Sequence, residues 1–138
     1  MATLITISAD FRLSTGASAS VATAGETIVP FQLLYLKTSD SKAYLADNAT
    51  AAEAVLLGFA ATGAAVDEFV SYVPATSGAF IESASALFTK GDCYEISSTA
   101  GSMATAGDAT AGQFVTVVGV AISTTKLQII NASTGVSI

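Results

Sequence analysis

Short apolar runs, each cut off within a few residues by Gly, Ser, Thr or Asp, recur along the whole chain. A helix needs ten or more residues of sustained 3.6-residue periodicity to bury a face, whereas a strand needs only about five with alternation. The punctuation therefore predicts many brief strands and an all-β fold, with short helical turns at most. The 138 residues suffice for one domain with a real core and are too few for two ordinary ones.

Leu4, Ile5, Ile7, Phe11 and Leu13 crowd the first segment, and residues 14–25 behind it are almost all Ser, Thr, Ala and Gly. Such a stretch buries little and reads as a flexible or extended link. We accordingly expect an N-terminal arm and link over residues 1–24 and one β-rich domain over 25–138. Leu4, Ile5, Ile7, Phe11, Arg12 and Leu13 are the candidate contact residues, because an apolar strand on a tether can add to a neighbour's exposed sheet edge. The competing reading makes the same residues the first strand of the chain's own barrel.

In the body, residues 26–37 read as a strand broken near Pro30, followed by a turn at 39–42 and a return at 43–46. Residues 47–54 read as one helical turn, capped by Asp47 or Asn48 with Glu53 in the first turn. Strands are expected at 55–61 and 68–73, around Gly63-Ala64-Ala65, and at 79–82, 93–97, 114–123 and 126–131. Ser77-Gly78 is a turn, 83–88 a loop or helical turn, and 100–112 an exposed loop. Both faces of the run from Phe114 are mostly apolar, which predicts burial on two sides.

An echo runs through the chain. Tyr35 and Tyr94 lie 59 apart, Asn48-Ala49-Thr50-Ala51 and Asp108-Ala109-Thr110-Ala111 lie 60 apart, and Gly58-Phe59-Ala60 precedes Gly119-Val120-Ala121 by 61. This predicts two similar β-units, with the paired glycines where a strand bends or another backbone comes close.

The inventory excludes several functions. A net charge of -6 with five basic residues cannot build a phosphate-neutralising patch, so neither nucleic acid nor an anionic membrane is an expected partner. Without any His, no Ser/His or Cys/His pair exists, and the single Cys93, in a strand-like run, reads as a small buried residue. Asp67-Glu68 reads as a solvated turn rather than a metal loop, and Gly101, Gly107 and Gly112 lack the lysine of a phosphate loop. No enzyme, cofactor or metal is expected. The sequons at Asn48 and Asn131 are expected to be accidental, because the start lacks the basic and apolar regions of a secretory signal. The most apolar window, residues 54–66, is too short to span a membrane as a helix. Half of the residues are apolar and only 12% charged, which favours surface hidden in an oligomer or on a larger assembly.

Taken in order, several motifs resemble the capsid cement (head decoration) proteins of tailed phages. They are Ala24-Gly25-Glu26-Thr27-Ile28-Val29-Pro30, Leu34-Tyr35-Leu36, Lys42-Ala43-Tyr44-Leu45-Ala46-Asp47-Asn48, Gly58-Phe59-Ala60 and Ser77-Gly78. Leu87-Phe88-Thr89-Lys90-Gly91-Asp92-Cys93-Tyr94, Ala100-Gly101-Ser102 and Val118-Gly119-Val120-Ala121 complete the series, over about residues 24–131. At Phe31-Gln32 the chain departs from the family, which commonly places a Gly before the Tyr-bearing strand. The resemblance implies a compact β-barrel or β-tulip-like domain and a homotrimer at three-fold or quasi-three-fold sites. It also implies the major capsid protein as partner, the outer capsid surface of the virion as location, and stabilisation of the mature shell as function. Other readings are a head-fibre base, a tail-tube component, or a carbohydrate-binding β-sandwich with Tyr44 or Tyr72 as stacking platform.

Overall fold

The computed structural model describes residues 4–5, 11–13, 19–83, 86–105, 107 and 110–137. It is all-β, with two antiparallel sheets and no helix among these residues. The strands are β1 (Leu4–Ile5), β2 (Phe11–Leu13), β3 (Ser20–Thr23), β4 (Leu33–Lys37), β5 (Lys42–Leu45) and β6 (Gly58–Ala60). There follow β7 (Phe69–Pro74), β8 (Phe80–Ser83), β9 (Cys93–Ile96), β10 (Met103–Thr105), β11 (Phe114–Ala121) and β12 (Lys126–Ser137). One sheet runs β3-β7-β6-β4-β5, the other β2-β8-β12-β11-β9-β10-β1.

These orders contain the same unit twice. Replacing β3, β4, β5, β6 and β7 by β8, β9, β10, β11 and β12 converts the first sheet into the middle of the second. The registers agree residue by residue. Leu34 pairs with Leu45 and Gly58 as Tyr94 pairs with Thr105 and Gly119. Phe59 meets Val73 as Val120 meets Gln128, and Ser20 meets Tyr72 as Ile81 meets Leu127. The turn before the central strand repeats as well. Phe31 N–H donates to Ala60 O (2.6 Å) and Ala60 N–H to Gln32 O (2.8 Å), while Gly91 donates to Ala121 O (2.8 Å) and Ala121 to Asp92 O (3.0 Å). Phe31 and Gly91 both have positive φ, 71° and 89°. That left-handed position favours glycine, which the second unit has and the first lacks.

The paired glycines serve one purpose. A Cβ on Gly58 would lie 2.2 Å from Val73 O, and one on Gly119 2.7 Å from Leu127 Cγ and 2.9 Å from Gln128 O. Val73 and Gln128 are equivalent residues, so both glycines allow the same close backbone approach. The tyrosine pairing expected from the echo is corrected. The register sets Tyr94 against Leu34, and Tyr35 against Glu95.

The two units close differently. In the first, Ala24 bridges to Ala43 in parallel, Gly25 N–H donates to Ala43 O (2.8 Å), and Leu45 N–H donates to the Glu26 carboxylate (3.0 Å). These contacts join β3 to β5 and turn the five strands into a narrow barrel. Its inside is filled by Ala24, Ala43, Ala60 and Ala64 around Ile28, Leu34 and Val70, small residues that suit so tight a ring. The second unit has neither Gly nor Glu at the matching Ser85-Ala86-Leu87. Its edges stay apart, and β2 pairs with β8 while β1 pairs with β10. Six strand spacings of about 4.8 Å would set the edges of a flat seven-stranded sheet about 29 Å apart. The six links from Ile5 to Phe11 reach at most about 22 Å, so this sheet must curl into a half-barrel.

Alternation distributes side chains between two cores. Leu34, Ala43, Ala60 and Val70 enter the barrel, while Leu33, Tyr35, Phe59 and Val73 point the other way. There they meet Ile81, Tyr94, Ile96, Met103, Val118, Leu127 and Ile129 from the half-barrel. Backbone bonds fasten the units at Gly101, whose carbonyl accepts from Leu33 N–H (2.9 Å) and whose N–H donates to Ala46 O (2.8 Å).

Other expectations are revised. Within residues 14–25 lies β3, and within 100–112 lies β10, where Met103 and Ala104 are fully buried. Residues 47–54 make a single i→i+4 bond, Ala54 N–H to Thr50 O, and the cap is Thr50, whose hydroxyl accepts from Glu53 N–H (3.2 Å). Along β11, Thr116 and Val118 are buried but Val115, Val117 and Val120 only half-buried, because the outer face of the half-barrel meets solvent. We expect Gly58→Ala and Gly119→Ala each to lower stability by about 1–3 kcal/mol, since each inserts a methyl group against backbone. A denaturant titration that found both substitutions neutral would contradict the shared role.

Candidate functional site

The expected contact residues divide between the two edges of the half-barrel. Leu4 and Ile5 pair with Ala104 and Met103, and Phe11, Arg12 and Leu13 pair with Ser83, Glu82 and Ile81, all within one chain. Ile7 lies outside the described residues. The N-terminal segment thus supplies both outer strands of the second unit, and the competing reading, a strand of the chain's own sheet, describes this placement.

Apolar exposure gathers on the other unit. Val21 (65% exposed) on β3 and Phe69 (77%) on β7 are diagonal neighbours on the barrel's outer face, with Thr23 opposite Phe69 and Ser71 opposite Val21. Val66, Val29, Leu36 and Val55 are also exposed on this unit. At the positions equivalent to Val21 and Ser71 the second unit carries Glu82 and Lys126, an ion pair at 3.4 Å. One copy has a cross-strand charge pair where its twin has an apolar patch.

The barrel's latch is electrostatic. Tyr44 stands over Gly25, where a Cβ would fall 2.2 Å from Tyr44 Cζ, so only glycine lets the ring lie there. Its hydroxyl donates to Asp40 Oδ2 (2.6 Å), and Lys37 Nζ sits 5.0 Å from the ring centroid. Lys42 pairs with Asp67 at 2.6 Å, and Glu68 accepts from Ala65 N–H (2.8 Å), so the acidic pair does sit in a turn. The bond from Tyr44, helped by Lys42 N–H and the nearby lysines, holds the Asp40 carboxyl below its usual range. The same bond and the Asp40 charge push the Tyr44 hydroxyl up to about 12.

Beside the latch, β4 and the 50–55 turn enclose a cleft of about 610 Å³, lined by Tyr35, Lys37, Thr38, Ser39, Thr50 and Glu53 with Leu36, Ala52 and Val55. Tyr35 is 8% exposed, and burial, then Glu53, Glu26, Asp40 and Asp47, raise the pKa of its hydroxyl. The notebook-simple alternation of sequence hides this cleft, because its two walls come from segments fifteen residues apart that only the fold brings together.

Neither tyrosine suggested for stacking offers an open platform: Tyr44 lies between Gly25 and Lys37, and Tyr72 packs against the barrel core. Cys93 is exposed rather than buried, since Tyr94 and not Cys93 points inward from β9. Asn48 is fully buried, with Nδ2 bonded to Ile96 O (3.4 Å) and Oδ1 without a partner among the described residues, so this sequon is inaccessible in the folded chain. Among the described residues no group of His, Cys, Asp and Glu could hold a metal, and no helix is long and apolar enough to cross a membrane.

No family model, curated protein or solved structure matches this chain.

The latch sets a pH dependence. With the Tyr44 pKa raised in the folded chain, its contribution is complete below pH 10, the unfolded value, and is lost as pH rises through about 12. We expect Asp40→Asn to shift one tyrosine's alkaline titration back toward 10, seen in tyrosinate absorbance; an unchanged curve would contradict the Tyr44–Asp40 bond.

Proposed function

We propose that the chain is a structural protein of the virion that binds the outer surface of a mature phage capsid as a homotrimer and stabilises the shell. The observation that carries this reading is the concentration of exposed apolar side chains on the first unit, where Phe69 and Val21 occupy a face that the second unit covers with an ion pair. An apolar group this exposed costs solvation unless a partner covers it, and it suits a protein whose working state is an assembly. Three copies around a symmetry axis present the patch to three equivalent shell subunits, so modest contacts gain from effective concentration. Binding only the mature shell stabilises that state by mass action. The motif Ala24-Gly25-Glu26 supports the family reading, since it closes the barrel rather than lying in a loop.

Phe69→Asp tests the proposal. At 77% exposure the change should alter stability by no more than about 0.5 kcal/mol, while co-sedimentation with expanded capsids should fall at least about tenfold. Light scattering should give a trimer for the unaltered protein. Failure of that protein to co-sediment with any expanded capsid, or a concentration-independent monomer, would overturn the reading.

A further inference from the structure

We propose that the cleft between β4 and the 50–55 turn is a binding site for the guanidinium group of an arginine on an extended segment of a partner protein. Three observations converge there. The volume, about 610 Å³, is that of a side-chain or small-ligand site. Tyr35 lines it while more than nine-tenths buried, and its hydroxyl has no hydrogen-bond partner among the described residues. A phenol committed to a dry, closed wall would be expected to have one.

The third observation is charge. Glu53 stands in the wall, with Oε1 accepting from the Thr50 hydroxyl at 2.8 Å, which leaves the second carboxylate oxygen for a ligand. Glu26, Asp40 and Asp47 lie near enough to act on Tyr35, so four carboxylates bear on the cleft. Lys37 is the one cation in the lining, and its ammonium rests over the Tyr44 ring. The field therefore favours a positive guest. A guanidinium suits the wall better than an ammonium, because its planar donors can serve the Tyr35 oxygen, the Glu53 carboxylate and the Thr38 or Ser39 hydroxyl together. Leu36 and Val55, 44% and 48% exposed, flank the opening and can receive the apolar stem and neighbours of such an arginine. The inference does not depend on the capsid reading, which uses the Phe69 face.

The test is a titration of the whole protein with a short, capped peptide bearing one arginine and with its neutral citrulline twin, followed through the Tyr35 ring resonances. The arginine peptide should bind at least about tenfold tighter than its twin, and added salt should narrow the gap. Glu53→Gln, at a half-exposed turn position, should keep the melting temperature and lose about tenfold in arginine affinity, and Tyr35→Phe should weaken it without abolishing it. Lys37→Met should strengthen binding. Equal binding of the two peptides, no binding of the arginine peptide, or an unaltered affinity in folded Glu53→Gln would each overturn the proposal.

Discussion

A sheet with an open edge carries a row of backbone donors and acceptors that must find partners, and the rest of this structure follows from how two copies of one unit meet that need. In the first copy the edges meet each other. Gly25 and Glu26 supply the backbone N–H and the carboxylate that satisfy Ala43 and Leu45, and Tyr44 can lie across the seam only because Gly25 has no side chain. Closure at five strands leaves a bore so narrow that alanines must line much of it. In the second copy no such clasp exists, and the edges are extended by β1 and β2 instead.

This difference gives the molecule a division of labour. The closed barrel depends on nothing outside residues 20–74, so its outer face is available for the apolar patch at Val21 and Phe69 and for the cleft at Tyr35. The half-barrel depends on residues 4–5 and 11–13, which precede the repeated unit and fall on opposite edges of its sheet. The curl that this imposes presents Tyr94, Ile96, Met103 and Leu127 to the back of the barrel, where Leu33, Phe59 and Val73 meet them. One continuous core therefore joins the units, reinforced by the backbone bonds at Gly101.

The all-β class and most strands were legible because alternation and turn residues are local signals. The repeat was visible only where backbone geometry forbids a side chain, at Gly58 and Gly119, since there the residue identity is physically enforced. Elsewhere the side chains have diverged, Tyr35 against Glu95 and Leu34 against Tyr94, so a match on tyrosines slipped by one residue. Strands β3 and β10 were read as link and loop because Ser, Thr, Ala and Gly carry little strand propensity of their own. They form strands because neighbouring edges need partners. The cleft and the apolar patch had no sequence signal, because each is made by residues that only the sheet pairing brings together.

The most direct measurement of this account is amide hydrogen exchange on a chain lacking residues 2–13, compared residue by residue with the full chain. If the first unit closes by itself and the second is completed by the N-terminal strands, protection in β4, β5, β6 and β7 will be retained, and the outward-facing amides of β8 and β10 will exchange faster. Uniform loss of protection in both units, or none in β8 and β10, would contradict it.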